Sequence, residues 1–235
     1  MNRLLFLVKS GSSFLVLLNY CKFKILSIFK KKKFKYYKII HKKILKKKKI
    51  TADFFSPNSY HFFSVLCKVK KDAAYLEIGS YEGNSALFVE YNFPSFKIYC
   101  VDTWSSIDNI DFDKEYKGMN INEVEKNFDY NIKNKKNIFK IKNTSDKFFE
   151  NNNLFYDVIY VDGYHLAEQV LRDCMNSWKF LKKNGYLICD DYIWNFYSKI
   201  KDNPCFAINQ FLLKIKNEFE IILVTRSQIF LKKII

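Results

Sequence analysis

The sequence predicts a doubly wound α/β domain built on a seven-stranded sheet, mostly parallel and ending in an antiparallel hairpin. Three observations predict it. From about residue 51 onward, short apolar runs alternate with longer mixed segments, the texture of buried parallel strands joined by helical crossovers. Polar residues stand directly after four of those runs, at Gly79-Ser80, Asp102, Asp162-Gly163 and Asp190-Asp191, so these run ends would share one edge of a sheet. The last two runs, Glu220 to Thr225 and Gln228 to Lys232, are separated only by Arg226-Ser227, short enough for a hairpin.

Each element has its own warrant. With only 6 glycines and 3 prolines in 235 residues, each of them counts as a placed signal. The first strand is Ala73 to Ile78, followed by a helix from about Gly83 to Tyr91 that Pro94 stops. The second strand is Lys97 to Val101. The polar segment from Ser105 to Gly118 reads as a loop or lid, followed by a helix from about Asn122 to Lys133. Strand three, Ile138 to Ile141, runs into Asn143-Thr144-Ser145-Asp146, and strand four is Tyr156 to Val161. A helix from about Ala167 to Leu181 then meets Lys182-Lys183-Asn184-Gly185, read as a stop with glycine just beyond basic residues. Strand five is Tyr186 to Cys189, and a helix over about Pro204 to Lys216 precedes the hairpin.

Charge divides the chain at residue 50. The net charge is +16, and residues 1–50 carry 16 Lys and Arg with no acid, leaving 24 basic residues against 24 acidic ones from residue 51 onward. The expected organisation is therefore a basic extension over 1–50 and one neutral domain over 51–235. A neutral domain argues against a nucleic-acid groove and so against a specific nucleic-acid partner. The extension admits peripheral contact with an anionic membrane, attraction to RNA, or simple compositional drift towards Lys, Asn, Ile and Phe. Lys9, Lys22 and Lys24 interrupt the apolar stretch from Leu4 to Phe29, which excludes a clean spanning helix and weakens a secretory signal but leaves an amphipathic surface helix open. Six cysteines without a C-x-x-C pair, beside three histidines, argue against structural zinc; Cys100 and Cys189 read as small core residues in a reducing, cytoplasmic compartment.

The strongest local signal is Glu77-x-Gly79-x-x-x-Gly83 after an apolar strand. Gly79 removes a side chain where a ligand approaches the strand end, Gly83 permits a tight turn, and the following helix presents unpaired N–H groups. A dinucleotide loop would show G-x-G-x-x-G; here Ser80-Tyr81-Glu82 intervenes, which disfavours a nicotinamide dehydrogenase. Asp102 ends the second strand 25 residues after Glu77, where a carboxylate can accept hydrogen bonds from ribose hydroxyls. Asp162, Asp190 and Asp191 would put three carboxylates on two neighbouring strand ends, which repel unless a proton or cation joins them; oxygen ligands suit Mg²⁺ or another hard divalent ion. His165, three residues after Asp162, has an ordinary pKa of about 6.5 that suits a general base. Trp104, Tyr192 and Trp194 flank these strand ends and read either as half-buried packing, the commoner role of such aromatics, or as walls of a pocket, and Arg172-Asp173 reads as a solvated or inter-helix pair.

The ordered series YLEIGSYEGNSALFV, IYCVDTW, NTSDKFF, YDVIYVDGYH and GYLICDDY resembles small class I S-adenosylmethionine-dependent methyltransferases of the methyltransferase domain 24 type. These are similar in arrangement to catechol-type and sugar O-methyltransferases. The resemblance covers about residues 60–235 and implies the seven-stranded Rossmann-like sheet. It implies that Glu77, Gly79 and Gly83, with Ser80 in the same loop, surround the methionine part of S-adenosylmethionine. It implies that Asp102 holds the ribose, that Ser145 and Asp146 lie beside the adenine, and that Asp162, Asp190 and Asp191 bind Mg²⁺. Asp162 and His165 are the catalytic candidates. Catechol-type relatives carry a lysine in place of His165, and some sugar-modifying relatives an acid at the position of Tyr164, so the chain departs from both patterns. The expected reaction is Mg-assisted methyl transfer to a hydroxyl of a small molecule or sugar. A metal-independent N- or C-methyltransferase, or a non-catalytic module keeping the fold, stands beside it, and a homodimer is allowed.

Overall fold

A computed structural model describes residues 2–105 and 120–235; beyond Ser105, the expected lid up to Gly118 lies outside the described residues. The sheet has seven strands: β1 (Ala74–Ile78), β2 (Lys97–Asp102), β3 (Ile138–Lys142), β4 (Tyr156–Val161), β5 (Leu181–Cys189), β6 (Phe219–Val224) and β7 (Ile229–Lys233). Their spatial order is β3-β2-β1-β4-β5-β7-β6. β1 to β5 pair in parallel, and β7 lies antiparallel to both β5 and β6. The chain winds outward from β1 to β3, returns to place β4 beside β1, and then winds the other way. A crevice therefore opens at the carboxyl ends of β1 and β4.

Alternation along each strand sorts the core into two layers. Leu76, Ile78, Ile159, Val161, Leu187 and Cys189 face one side, against α7 (Ser145–Asn151), α8 (Ala167–Phe180) and α9 (Pro204–Lys214). Tyr75, Val158, Tyr160, Tyr186 and Ile188 face the other, against α4 (Ser59–Leu66), α5 (Asn84–Asn92) and α6 (Ile121–Ile132).

Two local expectations change. The helix expected to reach Leu181 stops at Phe180, and β5 begins at once because Leu181 is already extended and paired with Tyr156. Gly185 is not a helix cap. Asn184 takes the left-handed conformation (φ +65°), and a Cβ on Gly185 would lie 2.8 Å from the Lys182 carbonyl and 2.9 Å from that of Asp157. The segment expected as a plain loop after strand three starts α7, with the Thr144 hydroxyl accepting the Lys147 N–H at 3.3 Å.

The composition break at residue 50 is not a packing break. Residues 3–45 form α1 (Arg3–Lys9), α2 (Phe14–Phe29) and α3 (Lys31–Leu45). Phe6, Leu7, Val16, Tyr20 and Phe23 are buried in the same layer as α8 and α9, and α2 packs on β6. The Asn209 amide of α9 donates to the Ser10 carbonyl at 2.9 Å and to the Ser12 hydroxyl at 3.0 Å. α3 packs on α4 and α5, with His41 buried between the rings of Phe55 and Phe88. Among the described residues no helix is long and apolar enough to cross a membrane.

Candidate active site

A cleft of about 480 Å³ opens at the crevice. Its floor is the carboxyl ends of β1, β2 and β4 at Ile78-Gly79, Val101-Asp102 and Asp162-Gly163; its walls are Tyr81, Trp104, the 143–146 turn, and Gln169 and Asp173 of α8. Backbone strain concentrates here. Tyr81 (φ +48°), Trp104 (φ +42°) and Asp191 (φ +53°) are held left-handed, a conformation costly for bulky side chains and usually retained where a site requires it.

Asp102 organises the β1 side. Its Oδ2 accepts the backbone N–H groups of Ser80 and Tyr81, both at 2.9 Å, and its Oδ1 accepts that of Trp104 at 2.9 Å. Burial raises the Asp102 carboxyl above its ordinary pKa, and the N–H donors oppose the shift. One carboxylate thus folds both loops that flank the cleft and also lines it. The Trp104 indole N–H donates to the Tyr81 carbonyl at 2.8 Å and its ring packs on Phe128, fixing the wall.

The Gly79 and Gly83 positions require glycine for different reasons. Gly79 has φ +86°, and a Cβ there would lie 2.0 Å from the Asp162 carbonyl oxygen, so the approach of β4 demands it, while its edge lines the cleft. Gly83 (φ +81°) starts α5, and a Cβ would press 3.2 Å from the Phe128 ring. It does not line the cleft.

Glu77 is fully buried behind the floor rather than in the lining. It accepts the Tyr75 hydroxyl at 3.0 Å and the Ser85 hydroxyl at 2.8 Å. Burial pushes its carboxyl up to about 7, against those hydroxyls and that of buried Ser80. Glu82, in the same loop, is buried and turns away from the cleft. It accepts the Thr51 N–H at 2.6 Å and the Asn127 amide at 2.8 Å, fastening the loop to α6 and to the segment after α3.

Ser145 and Asp146 line the far wall. The Gln169 amide joins them, at 3.1 Å from the Ser145 hydroxyl, 3.4 Å from Asp146 and 2.9 Å from Asp173. Sequence reading missed Gln169 and did not put Asp173 in the site. Of the pair expected to be solvated or inter-helix, Arg172 is outward, bridging to Glu168 at 2.6 Å and lying 3.6 Å from Asp146 of α7. Asp173 is buried in the cleft wall, and burial raises its carboxyl to about 6. The available signal was helical spacing, since Gln169 and Asp173 are one turn apart.

The acids after β4 and β5 meet at the cleft's other end. His165 Nε2 lies 2.9 Å from Asp191 Oδ2 and 4.0 Å from Asp162 Oδ1, and the three groups' ligand atoms lie within 4.8 Å of one another. The His165 ring packs on Trp194, itself stacked on Phe196. Asp190 sits behind this group. It accepts the Gln228 amide at 2.7 Å, the Asp191 N–H at 2.8 Å and the Tyr160 hydroxyl, which also approaches Asp162 at 2.7 Å. A tyrosine has one hydroxyl hydrogen for two carboxylates. Burial and mutual repulsion accordingly raise Asp162 well above its ordinary value and Asp190 to about 7. Two carboxylates, Asp162 and Asp191, converge with the His165 imidazole, a set that fits a divalent cation. Tyr192 is not a pocket wall. It is buried beneath the site, donating to Asn209 at 2.6 Å and contacting Ser12 at 3.2 Å.

Residues 76–192 match a family model described as a methyltransferase domain. No curated protein sequence matches the chain. Among solved structures, the fold is similar to a candidate O-methyltransferase from Klebsiella pneumoniae (TM-score 0.57, 8% identity, 86% of this chain and 89% of that one). It is similar to a candidate caffeoyl-CoA O-methyltransferase from Staphylococcus aureus (0.54, 13%, 91% and 99%). It is also similar to the MycE methyltransferase of mycinamycin biosynthesis in complex with Mg, SAH and mycinamycin VI (0.53, 14%, 78% and 51%), of which the chain spans about half the length.

Proposed function

This chain belongs to the class I S-adenosylmethionine-dependent methyltransferases, and from that premise we propose that it methylates a hydroxyl of a small molecule or sugar with the help of a divalent cation. The observation that carries the reading is that one cleft joins Asp102, a half-buried acid at the end of β2, to the Asp162–His165–Asp191 group at its other end. Bound S-adenosylmethionine would supply an electrophilic methyl group. Asp102 and the strained 79–81 loop would hold its sugar and amino-acid portions, with Ser145, Asp146 and Gln169 about its base. A fixed cradle of this kind lowers the barrier by positioning, since the donor needs no further activation.

Asp162 and Asp191 supply oxygens for a cation such as Mg²⁺, with Asp190 directly behind them, and His165 stands beside them to take the acceptor's proton. A cation there would supply electrostatic stabilisation of the deprotonated acceptor oxygen. One observation favours a second, metal-free reading: the His165–Asp191 contact is already a complete base–orienter pair, and Asp190 is already satisfied by protein donors. Activity that survives EDTA selects that reading.

The decisive test is calorimetric binding of S-adenosylmethionine to wild type and Asp102→Ala, with and without Mg²⁺. Micromolar binding that the substitution abolishes supports the assignment. No binding to wild type in either condition overturns it.

A further inference from the structure

Helix α2 is apolar on two opposite faces, and the fold covers only one. Val16, Tyr20 and Phe23 point into the core, whereas Phe14, Leu18, Ile25 and Phe29, spaced i, i+4, i+11 and i+15, form a second seam pointing outward. Both Phe14 and Phe29 are 79% exposed. Leu4, Leu5 and Val8 of α1 are exposed as well, and over half of the exposed large apolar side chains among the described residues lie in residues 2–45. A monomer's surface rarely concentrates apolar groups in this way without a partner.

The charge around the seam selects the partner. It runs directly into Lys30 to Lys33, and α3 continues with exposed Lys35, Lys38, Lys42 and Lys43; no acid occurs before Asp53. A second copy laid on the same seam would bring two such lysine runs together, which like-charge repulsion opposes. An anionic lipid surface takes both features at once, the seam entering the acyl boundary and the lysines meeting the headgroups. The 16 residues of α2 span about 24 Å at 1.5 Å each, short of the roughly 30 Å hydrocarbon core, so the helix would lie in the interface rather than cross it.

We propose that α1–α3 form a built-in docking surface by which this protein lies on anionic membranes, with the outward seam of α2 inserted and the α3 lysines against the headgroups. The inference is independent of what the cleft methylates.

The test is flotation of the full chain with phosphatidylcholine vesicles, with and without 30 mol% phosphatidylserine, at low and high salt. Sedimentation in solution is measured in parallel. The wild type should float with the anionic vesicles only, and less at high salt. Leu18→Gln/Ile25→Gln/Phe29→Ser, all at exposed positions, should retain the thermal unfolding profile and lose at least tenfold in binding. Lys31→Gln/Lys32→Gln/Lys33→Gln/Lys35→Gln should lose about fivefold per lysine and most of the salt dependence. Three results would overturn the proposal: no flotation of the wild type, undiminished flotation of the seam variant, or a solution dimer that the seam variant converts to monomer, which would assign the seam to a second copy.

Discussion

Gly79→Ala separates two explanations of the glycine at the end of β1. If glycine is there to admit the ligand, the substitution harms cofactor binding and leaves folding intact. The structure gives a different account. The new Cβ would sit 2.0 Å from the Asp162 carbonyl oxygen, 2.5 Å from its carbon and 2.7 Å from Gly163 Cα. All three are backbone atoms, so no side chain can swing aside. The strand ends are also pinned, by Gly79 N–H to the Val101 carbonyl and Asp162 N–H to the Ile78 carbonyl, both at 2.8 Å. The left-handed backbone alone costs an alanine about 1–2 kcal/mol. Forcing an atom into a packed interior adds about 1–3 kcal/mol. The sum, about 2–5 kcal/mol, is a large part of the 5–15 kcal/mol typical of a whole domain. It corresponds to a fall in Tm of about 4–20 °C for a chain of this size. Urea unfolding followed by tryptophan fluorescence, without cofactor so that ligand linkage does not mask the loss, reads it directly. A loss under about 1 kcal/mol, with cofactor binding abolished, would refute the packing argument and restore the ligand-approach reading.

Four further substitutions probe other links. Glu77 has a folded pKa of about 7 against an ordinary 4.5, so its contribution is fully present below pH 4.5 and is lost as pH rises through 7; Glu77→Gln should remove up to roughly 3 kcal/mol of that decline, and parallel stability–pH curves for the two proteins would contradict the burial argument. Glu82→Ala leaves the Thr51 N–H and the Asn127 amide without their acceptor and should cost about 2–4 kcal/mol in chemical denaturation, whereas a change within 0.5 kcal/mol would mean the network is solvated. Asn209→Ala removes the amide that ties Ser10 and Ser12 to α9 and should cost about 1–3 kcal/mol, with faster amide exchange in α1 and α2; unchanged exchange would show that apolar packing alone holds them. His165→Asn should slow methyl transfer about 10²–10⁴-fold once an acceptor is in hand, with cofactor affinity unchanged; an equal loss of affinity would move His165 into the cofactor site.

The sheet was legible because its strands are short apolar runs ending in polar residues, and this texture survives any detail of packing. β1 to β4 appear within one residue of their expected bounds, while β5 starts earlier, at Leu181, and Asp102, Asp162 and Asp191 stand at the strand ends where the pattern put them. What the sequence lacked was any signal for groups that meet across the chain. Gln228 reaches Asp190 from the hairpin 38 residues later, and Tyr160, an ordinary strand residue by pattern, places its hydroxyl between two aspartates. Asp173 read as half of a solvated or inter-helix pair because it adjoins Arg172, yet neighbours on a helix lie about 100° apart, so one can face water while the other faces the cleft.

The same limit explains why residues 1–50 read as an appendage. Helix periodicity is visible only when one face is polar, and α2 is apolar at nearly every turn, so its sequence carries no mark of which face is buried. β6 supplies that information by covering Val16, Tyr20 and Phe23. Once those side chains are accounted for, the apolar residues left over are no longer a property of composition. Drift towards Phe, Ile and Lys would scatter them around the helix and along the chain. Instead Phe14, Leu18, Ile25 and Phe29 fall on one line opposite the core, with exposed Leu15, Leu26 and Ile28 on its flanks, and the lysines gather where that line ends. A segment anchored to the domain on one side and apolar on the other, with basic residues at its end, is what the proposed membrane docking requires, and the anchoring through Asn209 and Tyr192 runs beneath the Asp190–Asp191 strand end.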